Sequence, residues 1–374
     1  MLTETDVIVI GGGIAGAGVA AELAGERRVV LLEAEERPGM HTTGRSVSVH
    51  SETYGSPCVR LLSRGSRDHF LEGVDGRSFA SDRGCLYLAT EAQIERLDAF
   101  GGQPTVAPSI ERIGEAEIRS LNPLFRPGVV VAALYERHAY SLDVDAIHAA
   151  YLKRYRRAGG VLECSAGVAK LEYSGGQWMA EAGSRNFRAP VVVNAAGAWG
   201  DVVAGMAGVQ PIGLQPMRRT VALVDAPTGV DPSRWPLAID IDEQFYFKPD
   251  AGKIILSPAD ETPMDPCDAW TEDVDVAIAV DRVQQVIDLP VHRVAHSWAG
   301  LRTFAPDRTP VAGFDRQAPG FFWLVGQGGY GIQTAPALSR FAAAMVCEQG
   351  MPSDLAEFGL QAADLASERF ACRE

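Results

Sequence analysis

The sequence predicts an α/β protein: a Rossmann-type domain, discontinuous along the chain, joined to an α+β domain with a large antiparallel sheet. Three observations predict it. Near the N-terminus a buried strand runs directly into a glycine-rich turn and a helix. Alternating, strand-rich sequence fills the middle of the chain from Leu214 to Pro258. Apolar strands and one long helix then return towards the C-terminal end.

The first strand, Asp6–Ile10, is a short β-branched run of the kind buried in parallel sheets. Gly11-Gly12-Gly13-Ile14-Ala15-Gly16 follows it at once and matches G-x-G-x-x-G. Small and apolar residues at helical spacing from Ala15 to Ala24 come next, then a second strand, Val29–Leu32, closed by Glu33. Glu33 lies 22 positions after Gly11, where a carboxylate can accept from both ribose hydroxyls of an adenosine. Gly11 permits the tight turn, Gly13 lets backbone approach a pyrophosphate, and Gly16 lets the helix sit close on the sheet. The helix N-terminus offers free N–H groups to the phosphates. This register of strand, turn, helix and acid predicts dinucleotide binding.

A Gly-, Ser- and Thr-rich loop runs on from Glu33 to Gly55, long enough to wrap the far end of a dinucleotide. Val59–Phe70 reads as one amphipathic helix. Cys85–Ala89 is strand-like, Glu91–Phe100 and Gly114–Leu121 helical, and Val129–Tyr135 strand-like. Leu142–Arg157 is acidic at its start, basic at its end and closed by Gly159-Gly160, which predicts a helix. A strand from Val161 and a meander through Ala182 follow. Pro190–Gly197 and Ala198–Ala207 form a second strand–glycine–helix crossover, able to approach the same ligand. Thr271–Ile287 is one helix, Arg293–His296 and Phe321–Val325 are buried strands, and Tyr330–Glu348 is the last long helix.

The 34 basic and 48 acidic residues of the 374-residue chain give a formal charge of −14, which argues against nucleic acid and anionic membrane as main partners. Cys58, Cys85, Cys164, Cys267, Cys347 and Cys372 show no C-x-x-C and no metal-ligand spacing, so free thiols in a reducing compartment are expected and no metal site. No apolar run reaches the roughly 20 residues of a spanning helix, and no signal segment precedes the first strand. A cytoplasmic protein with no transmembrane segment is the expectation.

Three further blocks carry chemistry: Gly44-Arg45-Ser46, the run Gly300–Gly313 (GLRTFAPDRTPVAG), and the run Gly326–Thr334 (GQGGYGIQT). Together with the first loop, and with VVVNAAGAWGD, GLQPMRRT, FYFKPD and WAGLRTFAPD, they resemble the D-amino-acid oxidase and glycine oxidase superfamily of FAD enzymes. Bacterial D-amino-acid dehydrogenases of the D-arginine type are the subgroup resembled most, over nearly the whole chain. The resemblance implies a Rossmann-type FAD-binding domain from 1–80, 140–210 and 298–374, and a substrate-binding domain from 81–139 and 211–297. It implies non-covalent FAD held by Gly11, Gly13, Ile14, Ala15, Gly16 and Glu33, by Thr43, Arg45 and Ser46, by Val168, Ala196 and Gly197, and by Gly329, Tyr330, Gly331, Ile332, Gln333 and Thr334. No Cys or His is placed where a flavin linkage would form. A glycine turn opening the last helix would aim backbone donors at the negative charge of reduced flavin near N1 and O2.

The chemistry implied is hydride loss from Cα of an amino or hydroxy acid to flavin. The substrate's carboxylate calls for arginine, whose planar fork binds both oxygens. Arg302, following a strand, is one candidate. Strand alternation sends Arg218 and Arg219 to opposite faces, and the resemblance selects Arg219. Tyr246, on the polar face of Gln244–Lys248, and Tyr54, at the end of the long loop, are the candidate tyrosines. No general base stands out, and an amine bound neutral can lose hydride without one. His50 and His138 read as structural or solvent-exposed.

Two positions depart from the D-arginine-type pattern. Val49 stands where those relatives carry a histidine, with His50 one step along and turned away. Gly84 stands where a glutamate could pair with a basic side chain, and it would open space for a bulky one. A neutral D-amino acid is therefore expected over D-Arg or D-Lys, unless Glu52 or Asp82 reaches the pocket. Two alternatives remain: oxidation of a 2-hydroxy acid or a secondary amine such as glycine, sarcosine or proline, and a non-catalytic flavin subunit. The electron acceptor is open.

Overall fold

The strands Val7–Ile10 and Val29–Leu32 are buried at every position, which is why they read as unbroken apolar runs. The computed structural model describes residues 2–370, and Cys372 lies outside them. From edge to edge the six-stranded sheet runs Val161–Glu163, Val29–Leu32, Val7–Ile10, Val191–Asn194, Phe321–Val325 and Val311–Phe314. All neighbours are parallel except the last pair. Alternation splits its two faces. Val7 and Val9 pack on the helices Ile14–Leu23, Val144–Arg157 and Gly331–Val346. Ile8 and Ile10 meet the meander Val168–Ser174, Gln177–Ala182 and Arg185–Ala189. The meander is one strand longer than expected, and Leu2–Glu4 joins its edge. Strand order reverses on either side of Val7–Ile10, so a crevice opens at its C-terminal end, where open α/β sheets bind ligands.

The helix Val144–Arg157 starts where the Asp143 carboxylate accepts from Ala146 N at 2.9 Å, and ends on Arg154, Arg156 and Arg157. Residues 59–70, expected as one helix, form two: Pro57–Arg64 and Arg67–Glu72. They break at Gly65-Ser66, where Gly65 packs tightly against Leu355 and the Ser66 hydroxyl accepts from Ala337 N.

The second sheet has ten strands, drawn from residues 85–136 and 215–328. In order these are Gln327–Gly328, Val294–Phe304, Gln215–Asp225, Lys253–Ser257, Tyr246–Asp250, Leu237–Asp240, Cys85–Ala89, Ala132–Glu136 and Glu111–Gly114, with Thr262–Pro263 beside Gln215–Asp225. It is antiparallel except where Leu237–Asp240 meets Cys85–Ala89, the junction between these two stretches. Phe247, Leu256 and Val224 pack on the helix Asp273–Val286. Tyr246, Val221, Cys85 and Tyr87 face the other way. Arg302 does not follow a strand but stands inside the eleven-residue Val294–Phe304, paired along its length with Gln215–Asp225. Among the described residues no helix is long and apolar enough to cross a membrane, and Cys58, Cys85, Cys164, Cys267 and Cys347 are unpaired.

Candidate active site

The glycine turn fits close backbone approach. Gly11 has φ +104°, and a Cβ there would stand 2.5 Å from Ala195 O. A Cβ on Gly16 would stand 1.9 Å from Gly11 O, so only glycine lets this helix lie against the turn. Thr43 Oγ1 accepts from Ile14 N at 3.0 Å, the first N–H of the helix. The Glu33 carboxylate accepts from Gly12 N at 2.8 Å and Glu35 N at 2.9 Å, which fixes it at the mouth of the crevice. His148 closes the rear through a 2.9 Å contact to Gly12 O.

A cavity of about 470 Å³ extends from this turn to the second sheet, within the roughly 300–1,000 Å³ of small-molecule sites. Its walls include Gly11, Gly13, Ile14, Ala15, Glu33, Thr43, Arg45, Ser46, Val168, Ala196, Gly197, Gly329, Gly331, Ile332 and Gln333. Three residues of the expected set stand behind the wall. Gly16 is covered by Gly11, the Tyr330 ring packs on Tyr54 and Phe304, and Thr334 Oγ1 donates to Tyr330 O at 2.8 Å. Arg45 ties the long loop to the second sheet by donating to Ala299 O and Ala269 O and pairing with Asp268. His41 and Cys85 also line the cavity. The His41 ring contacts Glu35 at 2.9 Å.

At the far end the second sheet and the long loop bring Arg302, Tyr54, Tyr246 and Arg219 onto one wall. Arg302 donates to Tyr54 Oη at 3.2 Å, and has no carboxylate within 4.0 Å among the described residues. Burial opposes its charge, yet Tyr54 and Tyr246 around it raise the guanidinium above its ordinary range. Gly329 makes room for it: a Cβ there would stand 2.7 Å from Arg302 Nη1. The Tyr246 hydroxyl is buried without a hydrogen-bond partner. Arg219 is engaged already, donating to Asp260 O at 2.8 Å and to Glu261 at 3.1 Å. Glu261 also takes both arms of Arg308; burial alone would raise its carboxyl, and Arg308 and Arg219 hold it low. Arg218 points to the other face, onto Glu272 and Asp275.

Val47, Val49, Cys85, Val221, Leu237 and Ile239 give this end an apolar side, beside the hydroxyls of Ser51 and Tyr87. Val49 faces in, while His50 turns to Ser63 O at 2.9 Å and burial lowers its pKa. Gly84 does not open the pocket. It stands outside the lining at φ +72°, with the Tyr135 ring 2.7 Å from where its Cβ would be. Glu52 lies towards Arg64 and Arg67, and Asp82 is exposed in the strand Ala80–Asp82; neither lines the cavity. Glu243 does, with its carboxylate 3.5 Å from Tyr54 Oη. Its backbone has φ +53° in the turn before Tyr246, which strand alternation does not reveal.

The family model for FAD-dependent oxidoreductases named DAO matches residues 6–345. The chain belongs to this family. It is an FAD-dependent oxidoreductase of the DAO superfamily. It is 26% identical to human dimethylglycine dehydrogenase over 95% of its own length, but spans only 44% of that protein. It is 23% identical to glycine oxidase of Geobacillus kaustophilus over 96% of this chain and 97% of that one. Among solved structures, L-proline dehydrogenase from P. horikoshii shares the fold at TM-score 0.86 and 19% identity, covering 99% of both chains. Glycine oxidase from Geobacillus kaustophilus does so at TM-score 0.81 and 22% identity, covering 96% of this chain and 99% of that one.

The crevice at the switch point fits FAD: Gly11 and Gly13 would allow close backbone approach, Ile14 would offer the helix N-terminus and Glu33 would offer the acid. The bound flavin supplies a two-electron acceptor for hydride. The protein's own groups bind and orient what is oxidised.

Proposed function

We propose that the enzyme oxidises an α-amino carboxylate with a neutral side chain, a D-amino acid being the leading substrate class. Oxidation gives an imino acid that water converts to a 2-oxo acid. One observation carries the reading: Arg302, on the cavity wall, has a hydroxyl for a neighbour and no carboxylate among the described residues. A substrate carboxylate would complete its fork, and the unpartnered Tyr246 hydroxyl is placed to donate to the same group. Arg219, paired with Glu261, adds field rather than a free fork.

The apolar wall supports a neutral side chain, because an unpaired ammonium or guanidinium buried there costs several kcal/mol. Glu243 at the rim is the only lining carboxylate at this end among the described residues, and it is exposed. A second reading is an N-alkylated glycine. The likeness to dimethylglycine dehydrogenase and glycine oxidase supports it, since both names describe glycine-derived amines. Anaerobic mixing with both enantiomers of Met, Phe, Arg and Lys, with proline, sarcosine and dimethylglycine, and with 2-hydroxy acids tests both. Flavin bleaching by neutral D-amino acids ahead of D-Arg is the expected result. Bleaching by 2-hydroxy acids alone would sink both readings.

A further inference from the structure

One buried carboxylate beside the cavity has no assigned task. Glu136 closes the strand Ala132–Glu136, is 1% exposed, and has no basic side chain within 4.0 Å among the described residues. Its carboxylate accepts from Ser51 Oγ at 2.6 Å, Thr53 Oγ1 at 2.6 Å and Glu52 N at 2.7 Å. Contacts of this length are short O–H···O hydrogen bonds. Burial holds the carboxyl above the ordinary glutamate range, and the three donors offset that push only in part.

The network is directional. Ser51 has one hydroxyl hydrogen, and Glu136 takes it; Ser51 Oγ also accepts from Thr53 N at 3.3 Å. What Ser51 can still offer to the cavity it lines is a lone pair. Thr53 likewise spends its hydrogen on Glu136. The 2.9 Å contact from Thr53 to Tyr87 Oη therefore has Tyr87 as donor. Tyr87 also lines the cavity, and it too is left with lone pairs. Tyr54, which meets Arg302, follows Thr53 directly, so this wall adjoins the carboxylate-binding end.

We propose that Glu136, acting through Ser51 and Tyr87, makes this wall an acceptor-only surface that receives the N–H groups of the substrate amine. The lone pairs it leaves on Ser51 and Tyr87 meet the N–H groups of the neutral amine that loses hydride, as Arg302 meets the carboxylate. Glu136 is thus a positioning residue, and Ser51 and Tyr87 are the contacts. The proposal rests on the reading that the substrate is an amine-bearing carboxylate.

The test uses FAD-loaded protein, with Glu136→Gln and Ser51→Ala compared on the best amino acid of the panel above. Propionate, a carboxylate with no amine, is titrated alongside by its perturbation of the flavin spectrum. Glu136→Gln should lower kcat/KM roughly tenfold to a hundredfold, the worth of one charge-assisted hydrogen bond. Propionate affinity should stay within about twofold of wild type, with FAD content unchanged. Ser51→Ala should lose kcat/KM in the same direction, and it decides the matter if Glu136→Gln does not fold. Wild-type kcat/KM in both variants overturns the proposal. So does a matching loss of propionate affinity, because Glu136 would then only hold the wall for Arg302. A wild-type enzyme that oxidises no amine overturns the functional reading beneath it, and is seen before any variant is made.

Discussion

Arg302→Ala removes the one guanidinium on the cavity wall that has no carboxylate partner among the described residues. Truncating one side of a desolvated, hydrogen-bonded charge pair costs about 2–5 kcal/mol. The structure argues for the upper half of that range. The nearest alternative fork, Arg219, is committed to Glu261 and Asp260 O, and Arg308 is committed to Glu261. At ~1.4 kcal/mol per decade, kcat/KM should fall by a few hundredfold to a few thousandfold. Arg219→Ala should cost less, because Glu261 keeps two contacts to Arg308, at 2.7 and 3.0 Å, when Arg219 is gone. Arg302→Lys, which keeps the charge and loses the fork, should fall between wild type and Arg302→Ala. The assay is steady-state kcat/KM on the best substrate, with FAD content read from visible absorbance. Arg302→Ala within threefold of wild type at full FAD loading would refute the reasoning. So would a larger loss in Arg219→Ala than in Arg302→Ala.

Gly329→Ala should cost at least about tenfold in kcat/KM with FAD retained, because the added methyl occupies the place of the Arg302 guanidinium; a fully active variant would show that Arg302 can shift freely. Glu33→Ala should weaken FAD retention roughly tenfold to a hundredfold, as expected for loss of charge-assisted hydrogen bonds of ~1.5–3 kcal/mol, measured as free flavin after ultrafiltration. Acid precipitation should release all the chromophore; colour left in the pellet would point to His41 or Cys85, the His and Cys on the wall. Lys248 is buried, and burial lowers its pKa to about 8. The unfolded chain therefore binds more protons than the folded one between pH 8 and the ordinary lysine value of 10.5, and stability should rise with pH across that window. Lys248→Met should raise Tm at pH 7, with the gap to wild type closing as pH rises towards 10.5; a pH-independent gap would contradict the burial argument.

What could be read from the sequence was local. The strand, glycine turn, helix and acid from Val7 to Glu33 are adjacent in the chain, so spacing alone locates the cofactor crevice. Alternation correctly separates Arg218, facing Glu272 and Asp275, from Arg219, facing the cavity. It also turns Val49 inwards and His50 away. Tertiary partners were not readable. Glu136 looks like any strand-end glutamate until Ser51 and Thr53 fold over it, and Glu261 gives no sign that it serves two arginines. Gly84 looked like a vacancy in the pocket because its neighbour across the sheet, Tyr135, comes from far along the chain. The helix break at Gly65-Ser66 depends on Leu355 and Ala337, which no local window contains.

The strand order of the cofactor sheet sets a timetable for biosynthesis. Val7–Ile10 emerges first but must wait for Val191–Asn194 on its open side, and that strand waits in turn for Phe321–Val325. At about 5–20 residues per second the first interval alone is roughly 10–40 s, far longer than local helix or hairpin formation. Throughout it, an apolar edge with unpaired N–H and C=O groups stands open to other chains. The last helix, whose N-terminus borders the crevice, arrives later still. Yield should depend on what shields that edge until the final third has left the ribosome.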